Sequence, residues 1–226
     1  MNAPPILSLE QQKLLKLLSK EKSIYTHFYF TGGTALAEFY LKHRLSEDLD
    51  FFSEQEFDPQ SISVIFKKIR DTAGIKRTEY QQSFNRNLFF LHTDSGIIKT
   101  EFTYFPFTRI EQKQKIGNLL IDSLIDIAVN KIFTIYQNPR SRDFIDLYFI
   151  LTSTPTLTID FLIRNAQIKF DTAFDPVLLG AQYMRILELK DYPRMIENLD
   201  EKVWQDFFVK EAKKLSDKVF TYDDSP

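Results

Sequence analysis

Apolar residues at Leu9, Leu14, Leu15, Leu17 and Leu18 recur near helical spacing behind Ser8, a good capping residue, and predict a helix from Ser8 to about Glu21. Ile24 to Phe30 is rich in aromatic and β-branched residues and reads as a strand. Gly32-Gly33 breaks it, and a helix is expected from Thr34 to about His43. Leu49, Phe51 and Phe52 mark a second strand. Pro59 then opens a helix toward Ala73, with Ile62, Ile65, Phe66 and Ile69 as its apolar face.

From Ile75 to about Phe107 the period changes to two. Three strands are expected, at Ile75 to Gln82, Asn87 to Thr93 and Gly96 to Phe105, and Asp94-Ser95-Gly96 makes the last two a hairpin. Beyond about Asp122 the pattern is helical throughout, near 123–137, 141–152, 158–170, 175–189 and 201–217. Strands mixed with helices, followed by helices alone, predict an α+β fold: an α/β domain over residues 1–120, then a helical bundle over 121–226.

Composition narrows the chemistry. The 226 residues include no cysteine and three scattered histidines, so a metal would be held mainly by oxygen, which favours magnesium or manganese. No secretory signal pattern starts the chain and no apolar run is long enough to span a bilayer, so a cytoplasmic protein without a membrane partner is expected. The formal net charge of −2 gives no global pull on nucleic acid; an RNA partner would need a local basic surface, for which Lys67, Lys68, Arg70, Lys76, Arg77, Lys113, Lys115, Arg140 and Arg142 are available.

Several short patterns carry candidate chemistry. In Thr31-Gly32-Gly33-Thr34, paired glycines between a strand and a helix let backbone approach a ligand and aim amides at phosphate; a plain tight turn is the alternative. Asp48 and Asp50 lie two apart on a strand, so both carboxylates share a face, as a cation site or a solvated edge would require. Glu101, on a face with Lys99 and Thr103, is a third oxygen donor or an exposed strand glutamate. Lys131 falls on the apolar stripe of its helix beside Ile127, Ala128 and Ile135, where a lysine must snorkel or meet an anion. Asp126, Asn130 and Thr134 form the other side of that helix and are expected to be solvated. Asp143 and Asp146 share a helical face, with Arg142 placed to pair with Asp146 on the surface.

Taken in order, Thr31-Gly32-Gly33-Thr34-Ala35-Leu36, eleven further residues, Asp48-Leu49-Asp50-Phe51-Phe52, then Glu101, Lys131 and Arg142-Asp143-Phe144-Ile145-Asp146-Leu147 resemble the AbiEii family of nucleotidyltransferase-like toxins. The resemblance covers about residues 28–150. It implies a polymerase β-like nucleotidyltransferase fold, a mixed sheet with flanking helices, whose helical C-terminal domain completes the nucleotide cleft. It further implies transfer of a nucleotide from a nucleoside triphosphate to an acceptor such as tRNA, with a cognate antitoxin as partner. Asp48, Asp50 and Glu101 would hold Mg2+, or Mn2+. Gly32, Gly33 and Thr34 would hold phosphates, with Arg44 and Ser46 as further motif members, Ser46 as a phosphate-site residue or a cap. Lys131 would meet departing pyrophosphate, oriented by Asp146, which the family pattern favours over Asp143.

Two rivals share much of this pattern. One is a small-molecule nucleotidyltransferase with the same metal chemistry, and the other a non-catalytic member of the fold that binds a nucleotide or a protein. The acceptor separates them.

Overall fold

The structure, a computed structural model, describes residues 5–111 and 114–220. Lys113 of the basic set lies outside them. The chain divides into two compact units, Met1–Ser123 and Leu124–Pro226.

Helix α1 (Leu9–Leu18) starts at a capping box: Ser8 Oγ accepts from the Gln11 amide, and Gln11 Oε1 accepts from the Ser8 amide. The other end of the Gln11 amide group donates to the Glu47 carbonyl at 2.6 Å, tying the helix start to the segment that enters the second strand. The stretch expected as a strand from Ile24 to Phe30 folds instead as α2 (Lys22–His27) and the short strand β1 (Tyr29–Thr31). Ile24 is fully buried on α2, and packing of that one side chain outweighs the β preference of its neighbours.

After β1 come α3 (Gly32–Leu36), a π-helical turn (Ala37–Leu41), β2 (Leu49–Ser53) and α4 (Pro59–Ala73). Helix α4 has the bounds its pattern predicts: Asp58 caps it, Pro59 opens it and Gly74, at φ 73°, closes it. Strands β3 (Arg77–Ser83), β4 (Arg86–His92) and β5 (Ile97–Tyr104) form an antiparallel meander. A further hairpin, β6 (Gln114–Ile116) and β7 (Leu119–Ile121), lies where no strand was expected, because three-residue strands are too short to show alternation.

Among the described residues these strands form one sheet in the order β3-β4-β5-β2-β1-β7-β6. It is mixed: β2 pairs parallel with β5 and antiparallel with β1. One face carries Phe51 stacked on Phe102 at 4.9 Å, with Phe66 of α4 against Phe89 at 5.1 Å, and is the core of this unit. The opposite face carries Asp50, Glu101, Thr103 and Arg86.

The second unit holds α5 (Leu124–Gln137), α6 (Ser141–Ser153), α7 (Ile159–Phe170), α8 (Pro176–Met184) and α9 (Glu201–Phe220). The helix expected to run through 175–189 ends at Met184 and tightens into a 3₁₀ turn, Arg185–Leu187. Phe144, Tyr183 and Phe208 form the aromatic centre, with Phe144 and Phe208 centroids 4.9 Å apart and Tyr183 and Phe208 5.4 Å apart. Among the described residues no helix is long and apolar enough to cross a membrane.

Candidate active site

The two glycines after β1 accommodate specific side chains. Gly32 has φ 77°, a conformation costly for any other residue, and a Cβ on it would collide with the Asp50 carboxylate. A Cβ on Gly33 would collide with the Arg44 guanidinium. Thr34 is fully buried, and its hydroxyl lies 2.7 Å from Ser46 Oγ and 2.5 Å from the Asp48 carbonyl. Each residue of Gly32-Gly33-Thr34 therefore meets one part of the segment Arg44 to Asp50. Arg44 is itself buried and donates to the Leu45 carbonyl at 3.0 Å.

Register brings the carboxylates to one side. Asp50 is directly opposite Thr31 on β1 and Glu101 on β5, and cross-strand partners share a face. Asp48 precedes β2 and accepts from Lys99 Nζ at 2.8 Å; Lys99 alternates onto the same face as Glu101. The Glu101 side chain is 7% exposed and accepts from Arg86 through both oxygens, Nε at 2.7 Å and a second guanidinium nitrogen at 2.5 Å, with Thr103 Oγ1 donating to it at 2.8 Å. The hydrogen bonds to Glu101, opposed by burial and reinforced by the charges of Glu101, Asp50 and Asp48, hold the Arg86 guanidinium above its ordinary range. Arg86 thus feels all three carboxylates.

Sequence reasoning missed Arg86. Its role depends on the β4–β5 register, which sets Arg86 opposite Thr103 and beside Glu101, and nothing local marks it.

The donors are hard oxygens of the kind magnesium and manganese prefer, placed on neighbouring strands about 4.8 Å apart. Among the described residues no three His, Cys, Asp or Glu groups gather closely enough to hold one ion. Lys99 and Arg86 supply the positive charge that three such carboxylates need, and their side chains are 31% and 52% exposed, so both can swing away. The residue types and their common face suit a divalent cation in exchange for those two heads.

The helical unit holds a second charged cluster. Lys131 Nζ lies 2.7 Å from Asp143 and 2.7 Å from Asp146, both buried on α6. Arg140 Nε donates to Asp143 at 2.9 Å. Burial pushes the Asp143 carboxyl up, but Lys131 and Arg140 outweigh it and hold it below its ordinary value. The lysine on the apolar stripe therefore meets carboxylates of the next helix. Asp146 pairs with Lys131, and no Arg142 pair to it is present among the described residues. Asp126, expected to be solvated, is instead fully buried and 2.7 Å from Lys169, because α7 packs on the side of α5 that carries it.

The family model described as the AbiEii nucleotidyl transferase toxin of type IV toxin–antitoxin systems matches residues 16–219. An uncharacterized protein of Aquifex aeolicus (strain VF5) is 34% identical over 149 residues, 64% of this chain and 67% of that protein. The crystal structure of JHP933 from Helicobacter pylori is similar with a TM-score of 0.56 and 17% identity, over 96% of this chain and 97% of its own. A second H. pylori crystal structure, of a protein assigned as a nucleotidyltransferase, is similar with a TM-score of 0.59 and 16% identity, over 96% and 99% of the two chains. At these identities the two structures establish a shared fold, an α+β nucleotidyltransferase sheet with flanking helices and a C-terminal helical bundle.

Proposed function

The chain belongs to the AbiEii family of type IV toxin–antitoxin nucleotidyltransferases, and we propose that it moves a nucleoside monophosphate from a nucleoside triphosphate to a hydroxyl of RNA, tRNA foremost, in the cytoplasm. Family membership implies use of a nucleoside triphosphate and a metal in general, and an antitoxin as partner. In the proposed reaction the acceptor oxygen bonds to the α-phosphorus, the bond to the bridging oxygen breaks, pyrophosphate leaves, and the hydroxyl proton passes to solvent.

The observation that carries this reading is the common face of Asp48, Asp50 and Glu101, reached through a glycine turn that leaves no room for a side chain beside Asp50. These three carboxylates would hold magnesium or manganese. Bound there, the metal would screen the triphosphate and lower the pKa of the attacking hydroxyl. Lys99 and Arg86 neutralise the carboxylates beforehand and are long enough to turn toward phosphate oxygens. Gly32 and Gly33 amides are the phosphate donors of this reading, with Arg44 behind Gly33. Thr34 and Ser46 act by tying the glycine turn to the entry of β2.

In the helical unit, Lys131 is a cation suited to a phosphate group. Two of its three N–H bonds go to Asp143 and Asp146, which orient it, and one is left for a phosphate oxygen.

The test is to incubate the protein with each labelled nucleoside triphosphate, magnesium and total cellular RNA in a cell extract. Label in RNA that disappears with Asp48→Asn supports the reading. Label only in a small molecule would overturn it in favour of a small-molecule transferase. No label in any fraction would overturn it in favour of a binding protein.

A further inference from the structure

The tip of the β3–β4 hairpin combines three features that sheet stability alone does not explain. Ser83 pairs with Arg86, leaving Phe84 and Asn85 as a two-residue loop. Phe84 has φ 52°, at the loop position where turns of this kind with one left-handed residue take glycine, and the residue is 96% exposed. A bulky apolar residue is thus both strained and in water. The tip is nevertheless held in place: the Asn85 side chain donates to the Tyr104 carbonyl at 2.7 Å, and the Tyr104 amide donates to the Asn85 carbonyl at 3.1 Å. Two residues beyond Phe84 stands Arg86, half in water and half on Glu101.

We propose that this tip holds one nucleotide of the acceptor strand, with the Phe84 ring stacked on its base and the Arg86 guanidinium on its phosphate. The inference rests on the transfer reading for the identity of the strand. An exposed ring on a pinned turn offers a stacking platform at little ordering cost, and stacking is tolerant of base identity. Residues two apart in extended chain are separated by about 6.6 Å, a span comparable to that from a base to its own phosphate. The Arg86 guanidinium already lies on the Glu101 carboxylate, so a phosphate it grips is brought beside that face of the sheet. A partner protein could also cover a lone ring. The half-exposed guanidinium two residues away favours a nucleotide.

The test measures binding of a short labelled single-stranded RNA by fluorescence anisotropy, with EDTA and without triphosphate. Phe84→Ala removes no packing and should weaken RNA binding about tenfold, as loss of one stacked base does. Phe84→Trp should retain affinity, with its indole fluorescence quenched as RNA is added. Arg86→Gln should make the slope of log affinity against log salt shallower by about 0.7, the loss of one phosphate contact. Phe84→Ala with parental RNA affinity overturns the proposal and leaves the ring to a protein contact. Weaker triphosphate binding with unchanged RNA binding overturns it too, placing the ring on the incoming nucleotide. The assay runs without transfer, so the two readings fail separately. If the parent labels no acceptor but Phe84→Ala still loses RNA, the transfer reading falls and the hairpin assignment stands.

Discussion

Asp50 stands directly opposite Glu101 in the parallel pairing of β2 with β5, and opposite Thr31 in the antiparallel pairing of β2 with β1. This central strand position puts an acidic side chain next to the Gly32 turn and beside the carboxylate that Arg86 holds.

Asp48→Asn and Asp50→Asn should each lower metal-dependent nucleotide incorporation at least about a hundredfold, because each removes a proposed metal ligand. Neither side chain is part of the apolar core, so the melting temperature should change little. The check is labelled-nucleotide incorporation beside a thermal melt. Parental incorporation in both variants would remove these residues from the site.

Gly32→Ala should act through the same carboxylate. Its positive φ alone costs about 1–2 kcal/mol for a residue with a Cβ, and the collision with Asp50 adds to that. Chemical denaturation should show the loss of stability. Metal affinity, followed with Mn2+, should fall at the same time, because relief of the clash displaces Asp50.

What could be read from the chain beforehand followed how many local signals agreed. Helix α4 was legible to both ends because Asp58, Pro59, the Ile62, Ile65, Phe66 and Ile69 face, and Gly74 all point the same way. Strand β1 was legible only in part, since its three residues follow a helix built from the same aromatic and β-branched types. The order of the glycine turn and the aspartates was visible, but the reason for each glycine was not. That reason is the closeness of Gly32 to Asp50 and of Gly33 to Arg44, and contacts between residues this far apart in the chain have no local signature. Lys131 stood out as a charge on an apolar stripe. From the residues alone its partners Asp143 and Asp146 did not, because acids at the start of a helix are explained equally well by the helix dipole; only the family resemblance pointed to Asp146.

Phe84→Gly should raise stability by about 0.5–1 kcal/mol, against the usual direction of a large-to-small change. Glycine adopts φ 52° without the cost Phe84 bears, and a residue 96% exposed gives up almost no burial. Urea denaturation of parent and variant measures the difference. A loss of stability would show that the ring is packed in solution.

At the Lys131 cluster, stability and pH are linked. Removing one partner of a buried ion pair leaves the others uncompensated, so Lys131→Ala should cost about 3–5 kcal/mol. Loss of activity in that variant therefore counts for phosphate binding only when read beside its stability. The acid limb of the stability curve gives the separate measurement. Asp143 is held below its ordinary value, against the opposing push of burial, by Lys131 and Arg140. A carboxyl with a depressed folded pKa contributes stability that is fully present above its unfolded value, about 3.9, and is lost as pH falls through that value toward the folded one. The parent should accordingly lose stability on acidification below about pH 4, while Asp143→Asn should be less stable at neutral pH and fall less steeply. Urea midpoints at neutral pH and at two acid values test this. Parallel acid limbs in the two proteins would mean that Asp143 is not held ionised by its neighbours, and the assignment of Lys131 as its counter-charge would fall with it.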